Sequence, residues 1–183
     1  MPQRGPTRQE LQEAYDRELP DLAGPGMRVL LVGVTPSLWS GWSGYHFGRP
    51  SNRLWTTLHE AGFTGRRLRP EDAAELLAAG VGVSNLVARA TARADELSDD
   101  ELREGLAQVE ALAARVRPRL VAFLGLSAYR VAFGRPKAQV GPQPETLEGA
   151  RLWVLPNPSG LNAHYQQPAL TAEYARLRAA LEV

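Results

Sequence analysis

The chain has 183 residues, 44% of them hydrophobic, with a formal net charge of +1 and no cysteine. That length and apolar content suit one domain with one core. The near-neutral charge gives no whole-molecule attraction to nucleic acid, so such a site would need local clustering. The missing cysteine excludes disulfides, thiolate metal sites and a cysteine nucleophile.

Taken in chain order, residues 1–6 are polar, contain Pro and Gly, and are expected to fray. Thr7 and Glu10 have capping-box spacing. Leu11, Ala14, Tyr15 and Leu19 follow at helical spacing, which predicts an N-terminal helix over 7–19 packed on the outside and closed by Pro20. Val29–Val32 is a short, continuously apolar run between breakers, the pattern of a buried parallel strand. A long loop follows to residue 50, far beyond the usual 2–6 residues of such a connection. It carries Ser, Gly, Trp, Tyr, His and Phe. Trp39 and Trp42 in it either shield a pocket or pack.

Ser51–Ala61 reads as a helix with Leu54, Trp55, Leu58 and Ala61 as its stripe, ended at Gly62. Pro70–Ala79 reads as another, with Gly80 past its end. Val81–Val83 is a short strand, and Asn85–Leu97, without a clean period, is a loop. Ser98 and Glu101 open a helix that reaches about Arg115, with Leu102, Leu106, Val109, Leu112 and Val116 on its buried face. Leu120–Leu124 is a strand. Ser127 is expected to cap a short helix over Ala128–Phe133. Gly134–Gln143 is a loop, Thr146–Glu148 and Leu152–Leu155 form a strand or hairpin, and Pro168–Leu181 is the closing helix. Alternation of strands with helices predicts an α/β fold with about four mostly parallel strands covered on both faces. The unusual loops 35–50, 85–97 and 156–167 would then share one rim, where open α/β sheets place their sites.

Other features narrow the chemistry. The three histidines, His46, His59 and His164, form neither an HxH nor an HExxH pair, so no metal site is expected. Lys137 is the one lysine among 21 Lys and Arg residues. Arginine forks suit phosphate, but genome composition explains the bias equally well. No apolar run is long enough to span a membrane and no signal-peptide core opens the chain, so a cytoplasmic protein without a membrane partner is expected.

Four segments together carry a resemblance: GVTPS at Gly33–Ser37, FGRPSNRLW at Phe47–Trp55, GFT at Gly62–Thr64 and LPNPSGL at Leu155–Leu161. In order and spacing they resemble the mismatch-specific uracil-DNA glycosylase and thymine-DNA glycosylase family, over about Arg28 to Leu181. The resemblance implies a three-layer α/β/α sandwich around a small, mostly parallel sheet, in one glycosylase domain. It implies a DNA repair enzyme that hydrolyses the N-glycosidic bond of a flipped-out uracil in double-stranded DNA. No cofactor is implied, and a monomer that meets the nucleoid through DNA is expected.

Carried over residue by residue, Phe47 would stack on the base, where its other reading is a core plug. Tyr45 would wall the pocket. Ser40, Gly33 and Asn85 would line it, and Ser43 and Gly44 match a loop that approaches base and backbone. Leu161 would wedge into the hole left by the flipped nucleotide, where its other reading is a buried leucine. Ser159, Gly160 and Arg49 would meet the DNA backbone, and the starts of the Ser127 helix and Arg53 are further phosphate candidates. Asn52 reads as a turn or cap residue.

Two departures stand out. Asn162, Ala163 and His164 follow the wedge where the family often has Ser and Arg, so either Asn162 or His164 is the candidate substitute for the guanine-reading side chain. Thr35 stands where the family has the asparagine that holds the attacking water. A threonine hydroxyl positions water but takes no proton near neutral pH. Asp95 is the candidate that supplies what Thr35 lacks, because an ionised carboxylate orients water and stabilises a cationic sugar. Its other reading is a charge placed before the Ser98 cap.

Other classes fit less well. A Ser-His-Asp hydrolase lacks a G-x-S-x-G elbow. A nucleotide-binding module lacks G-x-G-x-x-G and the Walker lysine. A glycosylase-fold protein that binds damaged DNA with little turnover remains open.

Overall fold

The computed structural model describes residues 4–182. Residues 1–3 of the segment expected to fray lie outside it. Strands β1 (Val29–Gly33), β2 (Val81–Asn85), β3 (Leu120–Leu124), β4 (Gly141–Leu147) and β5 (Ala150–Leu155) form a sheet in the order β2-β1-β3-β5-β4. The first four neighbours in that order are parallel; β4 runs antiparallel on the edge. Val29 sits opposite both Val81 and Leu120, so β2, β1 and β3 keep one register.

The helices are α1 (Arg8–Glu13), α2 (Leu38–Ser43), α3 (Leu54–Glu60), α4 (Ala73–Ala78), α5 (Asp99–Val116), α6 (Leu126–Phe133) and α7 (Gln167–Leu181). Strand side chains alternate between faces. Val29 and Leu31 pack with Leu54, Leu58, Leu76 and Tyr174 of α3, α4 and α7. Leu30 and Val32 pack with Val109, Leu112 and Tyr129 of α5 and α6. The result is the expected three-layer sandwich with a core on each face of the sheet. Because all five β1 residues are buried, truncating Leu30 or Leu31 to alanine should cost about 2–5 kcal/mol. No helix of the described residues is long and apolar enough to cross a membrane.

Several elements differ from the sequence expectation. The N-terminal helix ends at Glu13, although its capping box forms: Thr7 Oγ1 accepts from Glu10 N–H and Glu10 accepts from Thr7 N–H. The long loop contains α2, capped by Ser37 and closed by Gly44 in the left-handed region. Six residues rich in Ser, Gly and Trp carry no readable period. The third helix opens at Leu54 rather than Ser51 because Asn52 Oδ1 accepts from Leu54 N–H and holds the preceding turn. Ser127 caps nothing: α6 begins at Leu126, after Gly125. The hairpin expected from Thr146–Glu148 and Leu152–Leu155 forms, but its first arm, β4, starts at Gly141 inside the expected loop and includes Pro142 and Pro144. An edge tolerates proline, and the register shifts between Pro142 and Thr146.

The order β2-β1-β3 makes the carboxyl ends of β1 and β3 the point where the sheet's winding reverses. The loops after β1, β2 and β5 meet there, as expected for a parallel sheet.

Candidate active site

A cavity of about 260 Å³ opens at this rim. Gly33 from the end of β1, Asn85 from the end of β2, Leu124 from the end of β3 and Phe47 from the long loop line it. Phe47 has φ of 49°, a left-handed conformation that costs a non-glycine residue about 1–3 kcal/mol and persists only when neighbours over-determine it. Here they do. The Trp55 indole N–H donates to the Phe47 carbonyl at 3.0 Å. The next amide, Gly48 N–H, donates to the buried Ser40 Oγ at 3.0 Å. Ser40 therefore lines the cavity and fixes the turn that presents the ring.

Gly33 leaves room that no other residue would. A Cβ built on it would lie 2.5 Å from Asn85 Oδ1 and 3.2 Å from Phe47 Cζ. The ring, the amide and the strand end thus converge on one point. Asn85 is buried, and its Nδ2 lies 3.4 Å from His46 Nδ1. His46 Nε2 lies 2.7 Å from the Pro20 carbonyl oxygen. Burial pushes the His46 imidazole below its ordinary value, against smaller opposing effects of that carbonyl and of Asp21.

Thr35 also lines the cavity, but its hydroxyl donates to the Arg89 carbonyl at 2.8 Å and sits 3.1 Å from Thr91 Oγ1. It keeps acceptor capacity for a water while its proton is committed to the backbone. Arg89 holds that backbone in place by pairing with Asp16 and Glu101. Glu101 lies below the usual carboxylate range because Arg89 donates to it.

The structure does not bring Asp95 into this cavity. Asp95 lies in a 3₁₀ turn, Ala94–Glu96, exposed, with Arg93 Nε 3.1 Å from its Oδ1. It lines an adjoining groove, and Val34, Ala94 and Asn157 form the wall shared by groove and cavity. Tyr45 is exposed and does not line the cavity. Arg49 is exposed at the cavity mouth.

The loop after β5 faces the cavity from the far side. Leu161 is 78% exposed at its tip, so it is not the buried strand-end leucine of the alternative reading. The loop below it is fastened tightly. Asn157 Oδ1 accepts from Ser159 N–H, Ser159 Oγ from Leu161 N–H, and Asn162 bonds to Asn157 and His164 backbone. Gly160 passes so close to the Ser51 carbonyl that an added Cβ would lie 2.6 Å from its oxygen. Arg53 is no phosphate ligand. Its Nη1 donates to Tyr165 O at 2.7 Å, and its Nη2 donates to Ser159 O at 2.8 Å and Asn162 O at 3.3 Å. His164 is exposed on the groove.

Sequence reasoning missed Arg53 as the clamp of this loop and His46 as the partner of Asn85. Both contacts join segments distant in the chain, and neither side chain sits in a local pattern that announces them. Among the described residues no three His, Asp or Glu side chains converge to hold a metal ion.

The family model described as the uracil DNA glycosylase superfamily matches residues 20–181. The solution NMR structure of a protein from Methanosarcina acetivorans, provisionally assigned as a uracil DNA glycosylase, is similar in fold at 21% sequence identity and a TM-score of 0.66. The match covers 92% of this chain and 99% of that one.

Proposed function

The chain belongs to the uracil DNA glycosylase superfamily, and on that premise we propose that it is a monofunctional, mismatch-specific DNA N-glycosylase. It extrudes uracil from a U·G pair in double-stranded DNA, acts as a monomer, and leaves an abasic site. The observation that carries this reading is the convergence of Phe47, Gly33 and Asn85 on a base-sized cavity, with an exposed leucine on the facing loop.

The flipped base stacks on Phe47, an interaction worth about 1–3 kcal/mol. Its polar edge meets Asn85, and Leu161 enters the space it vacates. Arg49, Ser159, Gly160, Asn162 and His164 lie around the mouth and take the backbone and the widowed base. Water adds to C1′, the C1′–N1 bond breaks, and the base departs with the bonding electron pair. The proton of the attacking water leaves through Asp95 or to solvent.

Asp95 orients that water and stabilises the cationic sugar, with Thr35 as a second water contact. Asp95 reaches the cavity across Ala94 once Arg93 turns to a phosphate. An ion pair with both partners about three-quarters exposed is worth about 0–1 kcal/mol and yields readily.

A second reading has an observation behind it. Thr35 has committed its proton and Asp95 lies outside the cavity, which suits a protein that binds damaged DNA with little turnover. Uracil release from U·G, U·A and single-stranded oligonucleotides, scored by alkaline strand cleavage, separates the two. Release, strongest from U·G, supports the enzyme. Binding of the U·G duplex without release supports the second reading.

A further inference from the structure

Asn85 meets the base in that chemistry, but the half-buried His46 behind it, which also lines the cavity, goes unused. A backbone carbonyl can only accept, so the 2.7 Å approach of His46 Nε2 to Pro20 O places the proton of the neutral ring on Nε2. Nδ1 is then a bare lone pair. Only an N–H can face it, so the Asn85 amide must turn Nδ2 toward His46, as it does at 3.4 Å. Asn85 Oδ1 is thereby directed to the Gly33–Phe47 side of the cavity, where it accepts no hydrogen bond among the described residues.

An amide held this way presents an acceptor beside the second Nδ2 hydrogen. Uracil offers the complement, the N3–H donor beside the O4 acceptor. Cytosine offers the reverse, a bare N3 beside an amino group. An amide free to rotate by half a turn would serve either base. We infer that His46 is a positioning residue that locks the Asn85 amide in the uracil-reading orientation and so sets discrimination against cytosine; this rests on the uracil reading above. The flipped amide would set Oδ1 against the Nδ1 lone pair, two acceptors in contact at a buried site, which is unfavourable.

Protonation inverts the lock. An imidazolium carries N–H at Nδ1 and donates to Oδ1 of the flipped amide. Burial disfavours the charged ring, and the charged group facing it is Asp21, whose carboxylate also accepts from Ser84 Oγ. Discrimination should therefore narrow as pH falls and His46 takes up its proton.

The test uses duplexes that carry non-hydrolysable 2′-fluoro-deoxyuridine or 2′-fluoro-deoxycytidine opposite an abasic-site analogue, so that neither base is paired. The ratio of the two Kd values is measured for the parent, His46→Phe, Asn85→Ala and the double variant. The uracil preference should shrink about tenfold in His46→Phe, the scale of one neutral hydrogen bond. In the Asn85→Ala background the same change should have no effect. For the parent, the ratio should shrink as pH falls below the ordinary imidazole value and His46 charges, with imidazole ¹⁵N shifts recording tautomer and charge in the same samples. An Nδ1–H tautomer in the free protein, an unchanged ratio in His46→Phe, or an equal loss with and without Asn85 overturns the inference. Should His46→Phe not fold, the tautomer and pH series on the parent decide alone. Failure to bind either duplex overturns the uracil reading instead, and leaves the tautomer still readable.

Discussion

Two segments of the same rim are built in opposite ways. Residues 34–55 form the recognition side, where Phe47 is held against its conformational preference by Trp55 and the buried Ser40, and Asn85 is backed by His46. Residues 92–96 form the side that carries Asp95. They are exposed throughout, and Arg93 and Asp95 meet there in a surface pair. A pocket that must reject wrong bases gains from parts locked before the ligand arrives. A carboxylate that must meet a sugar only after DNA has bound can be left on a yielding turn. The expectation is that changes on the first side alter stability and binding together, while changes on the second alter turnover alone.

The largest effect should come from the clamp of the Leu161 loop. Arg53→Ala removes three charge-assisted contacts to loop carbonyls in a half-buried setting. It should cost about 3 kcal/mol or more in denaturant unfolding. A cost below about 1 kcal/mol would mean that the loop holds itself.

Next comes Phe47→Ala. It should weaken binding of a uracil-containing duplex by about 1–3 kcal/mol, roughly tenfold to a hundredfold, while binding of undamaged DNA stays the same. Equal losses for both duplexes would make Phe47 a packing residue.

The smallest effect sits far from the rim. Arg4, donating to Glu10, is the main cause that holds that carboxyl at about 2, with Thr7 N–H adding to it. The folded value is depressed below its ordinary 4.5, so the contribution to helix α1 is complete above that value and is lost as pH falls toward 2. A carboxyl ¹³C titration should find the Glu10 midpoint near 2; a midpoint near 4.5 would show that neither the Arg4 pair nor the capping box holds in solution.

Much of this architecture is legible in the sequence because its signals are local. Val29–Val32 and Leu120–Leu124 are continuous apolar runs, and α5 has both a capping box and a full apolar stripe. Helix α2 escaped because six residues cannot show a period, and the first part of β4 escaped because its prolines deny a strand unless the edge position is known. The site divides along the same line. Phe47 and Leu161 were placed by motif spacing. The roles of Arg53 and His46 arise from contacts with Tyr165 and Pro20 that only the folded chain creates.

The central claim is that the exposed turn supplies the chemistry, and single-turnover uracil release from a U·G duplex by the parent and by Asp95→Ala tests it most directly. The account predicts release by the parent, a fall of about a hundredfold or more in the variant, and unfolding stability within about 0.5 kcal/mol of the parent. Equal release by both proteins, or none by the parent, would contradict it.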